Sequence, residues 1–284
     1  MEAIITITTD FGICDAYLAA MKGVILSINP KANIVDLCHA ISPQNIAMAA
    51  FMLGTTYRYF PQGTIHVVVV DPGVGSKRRA IILSTAQAFF VAPDNSVLSY
   101  IVGEACPQKS TSVSQAKEEL FLVAEKRLGW GLQAISLTNP KFWHHPVSPT
   151  FHGRDIFAPV AAHLSRGVPL EQFGEAISSV LAFPIPHPQI GAHEELIGHI
   201  IYIDHFGNLI TDAQEEDLPS TEVWFEIAGR RIEGVSPCYA EGGELLALID
   251  SSGHVEIAAK NSSAAELLGV DIGDEVQITP AKTS

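Results

Sequence analysis

Residues 64–70, Thr-Ile-His-Val-Val-Val-Val, form the most apolar stretch of the chain, and it ends abruptly at Asp71-Pro72-Gly73. A run this short, rich in valine and closed by a turn signal, reads as a strand buried on both faces. Such a strand needs helices on both sides, and the preceding sequence supplies them. Ile4–Thr9 is short and β-branched, as a buried strand should be. Asp15 is placed to cap a helix running through Ala19, Met21 and Ile25, which stops at Asn29-Pro30. Residues 33–37 read as a second strand, and Ser42-Pro43 opens a helix through Ala50 and Leu53. Repeated βα units predict an α/β fold, with a mostly parallel sheet and flanking helices.

The pattern changes further along. Residues 103–131 are polar and read as a surface excursion, and 151–166 as a loop entering a helix with Ile156, Val160 and Leu164 on one face. The segment 183–188 holds three prolines, which favour extended backbone and mark a linker. Beyond it, 198–204, 209–211, 222–227, 245–249 and 255–259 are short strand candidates separated by turns. That spacing predicts a smaller β-barrel-like domain, with one helical turn at 264–268. The expected division is an N-terminal α/β domain over 1–185 and a C-terminal β-rich domain over 190–284.

Charge narrows the partners. The 284 residues carry a formal net charge of −14, so nucleic acid and anionic membrane are unfavourable partners. No apolar run approaches the ~18 residues of a membrane helix, and the N-terminus lacks a basic segment followed by an apolar one. Cys14, Cys38, Cys106 and Cys238 are widely spread without a Cys-x-x-Cys pair, which fits a reducing cytoplasm. The histidines, His144-His145 included, show no metal-ligand spacing, so no catalytic metal is expected.

Ligands of parallel sheets sit at the carboxyl ends of strands, where Asp10 and Asp71 both fall, so the two carboxylates are expected to share one crevice. The glycines after Asp71 permit close approach of a ligand. Taken singly, Asp71-Pro72-Gly73 is an ordinary turn, Arg78 a surface charge and His152 a structural histidine. Asp204-His205-Phe206-Gly207-Asn208 alone reads as a turn bent by its asparagine, and the 250–254 segment as another turn.

Taken together, the segments carry more. Thr9-Asp10-Phe11-Gly12, Asp71-Pro72-Gly73-Val74-Gly75-Ser76 with Arg78-Arg79, Phe151-His152-Gly153-Arg154-Asp155, the stretch 204–211 and the stretch 250–258 occur in this order. So arranged, the chain resembles the S-adenosylmethionine hydrolases, or SAM hydroxide adenosyltransferases, over about residues 3–278. These are relatives of the fluorinating and chlorinating adenosyl enzymes. The resemblance implies hydrolysis of S-adenosylmethionine to adenosine and methionine at ribose C5′, without cofactor or metal. It implies that Asp71, Arg78 and His152 engage the attacking water and that Asp10 binds the ribose hydroxyls. Asp15 either faces the methionine part or caps its helix. Phe206 would lie against adenine, Asn208 would bond its edge, Asp204 would meet the methionine ammonium, and Ser251 and Glu256 would complete the adenosyl site. It further implies a homotrimer with intersubunit active sites.

The residue types suit that chemistry. A sulfonium carries its own neutral leaving group, so no acid is needed, whereas water is a poor nucleophile and gains from a positioned base or orienting group. Two departures from the family pattern stand out: Asp94-Asn95-Ser96 replaces a usual Asp-Asn-Gly, and Thr211-Asp212 a frequent Thr-Asn. A halide-using enzyme is the nearest rival, but Val74 lacks the hydroxyl, and Gly153 the serine, that halide users carry at these positions. A non-catalytic adenosyl-ligand sensor is the rival from another class. It would need the ribose and adenine contacts but not the Asp71, Arg78 and His152 combination.

Overall fold

The computed structural model describes residues 3–105, 120–193 and 195–281, so Cys106 and most of the polar excursion, 106–119, lie outside the described residues. The described residues fall into two compact units, one drawn from 1–108 and 123–184, the other from 109–122 and 185–284.

The first unit is α/β. In chain order it contains β1 (Ile4–Thr9), α1 (Tyr17–Ile28), β2 (Asn33–Cys38), α2 (Ile46–Thr56), β3 (Thr64–Val69), β4 (Ala80–Ser84), β5 (Ala88–Pro93), α3 (Ser99–Ala105), β6 (Ala124–Arg127), β7 (Gln133–Leu137), α4 (Ala158–Ser165), β8 (Gly174–Ile177) and β9 (Ser179–Ala182). Seven strands form one sheet in the order β2-β1-β3-β5-β4-β7-β8, and β6 pairs with β9. The β2-β1-β3-β5 half is parallel, as the βα alternation predicts. The β5-β4, β4-β7 and β7-β8 ladders are antiparallel, so the sheet as a whole is mixed. The change of direction follows from the three residues between β4 and β5, too few for a helical crossover.

Every residue of β3 is buried. Ile65, Val67 and Val69 pack with Met21 and Ile25 of α1 and Val160 and Ala161 of α4. Val68 and Val70 pack on the opposite face with Ala49 and Leu53 of α2 and Ile101 of α3. The period-2 alternation of one strand thus feeds two cores.

Two helix starts differ from expectation. Asp15 does not cap α1: the N-cap is Ala16, without a side-chain hydrogen bond, and Asp15 is exposed just before it. The second helix begins at Ile46 rather than at Ser42-Pro43, because Asn45 accepts a hydrogen bond from Met48 N and so provides the cap. Ser42-Pro43 instead forms a turn closed by Asn45 N donating to Ser42 O at 3.0 Å.

The second unit is β-rich: β10 (Gln189–Ile190), β11 (Leu196–Ile203), β12 (Leu209–Gln214), β13 (Val223–Ile227), β14 (Arg230–Glu233), β15 (Leu245–Ile249), β16 (His254–Ala259), α5 (Ala264–Leu268) and β17 (Glu275–Pro280). The main path runs β14-β13-β17-β11-β12-β16-β15, with β10 added beside β11. A bridge between Val235 and Ala247 joins the two ends, so the sheet is a nearly closed barrel. Its interior is filled by Ile200, Leu209, Phe225, Ile257 and Val276. The helix α5 sits where the sequence predicts, capped by Ser263 and ended by Gly269 in the left-handed conformation.

Candidate active site

The chain leaves β3 through Val70 and turns at once, with Val74 N donating to Asp71 O at 3.1 Å and Ser76 N to Gly73 O at 3.1 Å. Gly75 has φ +78°, and a Cβ there would collide with the Pro149 carbonyl oxygen. Only glycine meets both demands, so the 71–78 loop packs directly on the segment that precedes His152. The turn returns Arg78 to Asp71: Nε donates to Oδ1 at 2.8 Å, and Nη2 bonds Oδ2. The same Nη2 lies 2.8 Å from His152 Nδ1. The side chains of Asp71 and Arg78 are 4% and 10% exposed, so bulk water does not separate them. The Arg78 guanidinium also stands 5.3 Å from the centroid of the Phe157 ring.

An arginine has no lone pair, so His152 Nδ1 must be the acceptor, and the proton of the neutral ring is on Nε2. Burial, reinforced by the Arg78 charge, holds the His152 imidazolium below the usual histidine range. The ring is therefore neutral near pH 7, with its tautomer fixed by its neighbour.

His152 precedes a π-helical turn, Gly153–Phe157, in which Ala158 N donates to Gly153 O before α4 continues. Asp155 anchors this turn from within. Its carboxylate is fully buried and accepts from Arg154 Nε at 2.6 Å and Ser148 N at 2.8 Å. Burial pushes that carboxyl up, but the bonds from Arg154 and Ser148 outweigh it and hold Asp155 below the usual carboxylate range.

Asp10 follows β1, and its Oδ2 accepts from Gln44 N at 2.8 Å. Gln44 has φ +66°, a strained conformation for a residue with a side chain, and it directs the backbone N–H at the carboxylate. Asp10, Gln44, Asp71 and His152 line one cavity of about 410 Å³, together with Phe11, Tyr17 and Phe151 among others. The expected sharing of one crevice by Asp10 and Asp71 is thus observed. Arg78 stands behind Asp71 and is absent from the lining.

Sequence reasoning missed the support beneath Asp71. Asn95 Nδ2 donates to Val70 O at 2.8 Å, and Asp94, 3% exposed, accepts from Arg79 Nε at 2.7 Å and Leu181 N at 2.8 Å. Ser96, where the family usually has glycine, adopts φ +77°, which explains the glycine preference. The Asp-Asn pair was the available signal, and it stood beside a departure from the family pattern.

The second unit has its own cavity, lined by Phe206, Asn208, Tyr239 and Lys260 among others. Asp204 is used inside the β11–β12 turn, with Oδ1 accepting from Phe206 N and Asn208 N at 2.8 and 2.9 Å and Oδ2 from Asn208 Nδ2 at 3.0 Å. A Cβ on Gly207 would strike the Ser263 hydroxyl, so this turn too requires glycine. Ser251 is exposed in the hairpin between β15 and β16. Glu256 is 4% exposed and accepts from Tyr239 Oη at 2.8 Å. Its carboxyl is pushed up chiefly by burial, with Asp204 and Asp250 adding to the shift. Asp212 is buried, its Oδ1 accepting from His199 N at 2.7 Å. Among the described residues no three His, Cys, Asp or Glu side chains converge as a metal ligand set would.

Comparisons with known proteins identify the family. Residues 5–174 match the SAM hydroxide adenosyltransferase N-terminal domain and 198–277 its C-terminal domain. An (R)-S-adenosyl-L-methionine hydrolase of Salinispora tropica is 36% identical over 97% of each chain. A fluorinase of Nocardia brasiliensis is 29% identical over 97% of this chain and 96% of its own. The crystal structure of an uncharacterized conserved protein from Thermotoga maritima superimposes with a TM-score of 0.80 at 32% identity, covering 97% of this chain and 99% of that one. Both halves of the sequence match in order, and the chain belongs to the SAM hydroxide adenosyltransferase family.

Proposed function

We propose that the protein hydrolyses S-adenosyl-L-methionine to adenosine and L-methionine by attack of water at ribose C5′. The observation that carries this reading is Arg78 bonded to both Asp71 and His152 beside the cavity that Asp10 also lines. The relatives named (R)-S-adenosyl-L-methionine hydrolase support the same substrate and make its (R) sulfonium epimer the first to test.

The leaving group is a neutral thioether, so the protein must act on the nucleophile. His152 has Nδ1 occupied and offers Nε2–H, so it orients the water by donating to its oxygen. The water's own hydrogen then goes to Asp71, whose oxygens keep lone pairs beyond those used by Arg78. Arg78, from behind Asp71, holds that carboxylate and the His152 ring in place toward the water. Such positioning typically contributes about 10²–10⁴-fold. Partial hydroxide attacking a sulfonium also neutralises charge, which a desolvated pocket favours.

Asp10 offers the ribose its Oδ1, the oxygen that Gln44 leaves free. Phe206 and Asn208 take adenine, with Asp204 holding their turn in shape and meeting the methionine ammonium with its remaining lone pairs. Ser251 and Glu256 complete the adenosyl end, and Asp15 lies toward methionine. The working form is a cytoplasmic homotrimer in which the N-terminal domain, 1–185, faces the C-terminal domain, 190–284, of a neighbouring subunit. Neither metal nor cofactor takes part.

Incubation of the pure protein with the substrate in ¹⁸O-water tests the reading. Adenosine labelled at its 5′ oxygen and unlabelled methionine are expected, with or without a chelator. Binding without turnover supports a sensor instead, and a 5′-halo product a halide-using enzyme. Label at another position, or activity lost to chelation and restored by metal, defeats the mechanism.

A further inference from the structure

We infer that the rings of Phe11, Tyr17 and Phe151 form the wall that holds the positively charged sulfonium, so that they select a cation over a neutral thioether. The inference rests on S-adenosyl-L-methionine being the substrate.

The rings meet with centroids 5.6 Å apart for Phe11 and Tyr17, 5.9 Å for Phe11 and Phe151, and 5.2 Å for Tyr17 and Phe151. The last two pairs are edge to face, and all three rings line the cavity shared with Asp71 and His152. No lysine or arginine is among the lining residues, and the proposed site commits both lining carboxylates elsewhere: Asp71 to Arg78 and the attacking water, Asp10 to the Gln44 N–H and the ribose. The electron-rich ring faces are therefore the main surface left for an incoming cation. Phe151 already carries one, since the Arg154 guanidinium lies 5.2 Å from its centroid. Among the described residues no protein cation lies over Phe11 or Tyr17.

Tyr17 is 50% exposed, and its hydroxyl has no hydrogen-bond partner among the described residues. Neither core burial nor hydroxyl chemistry accounts for its place at the cavity. Gly153 makes room for the cluster: a Cβ there would stand 3.2 Å from Met21 Sδ, 3.3 Å from Phe151 Cε2 and 3.5 Å from Phe11 Cζ. The reaction removes the charge that the rings hold, because cleavage turns the sulfonium into a thioether. The same rings that hold the substrate thus release methionine.

The test compares affinities for S-adenosyl-L-methionine and for S-adenosyl-L-homocysteine, its neutral thioether analogue, in full-length Asp71→Asn protein, where turnover is suppressed. Adding Tyr17→Leu should lower the ratio of the two affinities roughly 3- to 30-fold, and Tyr17→Phe, which keeps the ring, should preserve it. A ratio unchanged by Tyr17→Leu, or an equal loss for both ligands, overturns the inference while wild-type hydrolysis leaves the substrate assignment standing. If the wild-type protein neither binds nor hydrolyses S-adenosyl-L-methionine, the substrate assignment fails and the inference falls with it.

Discussion

Arg78 governs which way protons move at the proposed reaction centre. It occupies His152 Nδ1, so an acidified His152 would turn an N–H toward a guanidinium N–H and break the contact. Burial and Arg78 hold the imidazolium below the usual histidine range. The acid limb of kcat/KM assigned to His152 is therefore expected below pH ~6.5, which a pH–rate profile checks. Asp71→Asn keeps the shape of the carboxylate but not its charge. It should cut kcat about 10²–10⁴-fold while moving ligand affinity far less. Asp10→Ala should do the reverse, weakening adenosine about 10- to 100-fold through loss of a charged acceptor, which steady-state kinetics and calorimetry separate. At this scale the side chains brought together beside the cavity were legible in the sequence and the backbone groups were not. Asp10 and Asp71 stand out at strand ends, and Arg78 and His152 only within the ordered set of segments. The N–H of Gln44 carries no such mark, because its use depends on a left-handed φ that nothing about glutamine announces.

Among the elements, β3 is buried along its whole length and feeds both cores of the N-terminal unit, and it carries a titratable group in its middle. His66 is fully buried, its ring stacks on Phe90 with centroids 5.2 Å apart, and Nδ1 is 2.8 Å from Thr6 Oγ1. Burial pushes its pKa down to about 4. The unfolded chain takes up this proton near pH 6.5 and the folded chain only near 4, so stability is lost as pH falls through that window. The full loss is about 3 kcal/mol. Urea unfolding at pH 7 and pH 4.5 should show a His66→Phe variant losing less of its stability than the wild type over that interval. Several elements escaped the sequence reading, each for its own reason. β14 is Arg-Arg-Ile-Glu, with Ile232 its one buried side chain, so charge conceals its strand periodicity. β17 begins at a glutamate and alternates exposed with buried residues after a polar turn. β4 and β5 are joined too tightly for the βα pattern to accommodate. By contrast β1, β3 and α5 were legible, because their apolar or capping residues lie in register with the element itself.

For the molecule as a whole, the chain carries two architectures, and apart from 109–122, which groups with the second unit, the change falls between Pro184 and Ile185, within the 183–188 stretch that has no regular secondary structure. The change from βα alternation to short strands made the two architectures legible, and closure of the barrel through Val235 and Ala247 did not show, since it rests on a single bridge. Sedimentation equilibrium is expected to give the mass of a trimer, and a fully active monomer would remove the intersubunit version of the site while leaving the water chemistry intact. A net charge of −14 should also speed encounter with a cationic ligand, an effect that added salt screens.

The contact between Gly75 and the Pro149 carbonyl has a consequence in time. The loop that carries Asp71 and the segment that leads to His152 are packed backbone to backbone and tied by the Arg78 Nη2 to His152 Nδ1 bond, so opening either one breaks that bond. Their fluctuations should then be one event with one rate. Amide exchange at Val74, Ser76 and Thr150 should slow and quicken together under any condition that loosens either loop, and the proposed water site should exist whole or not at all.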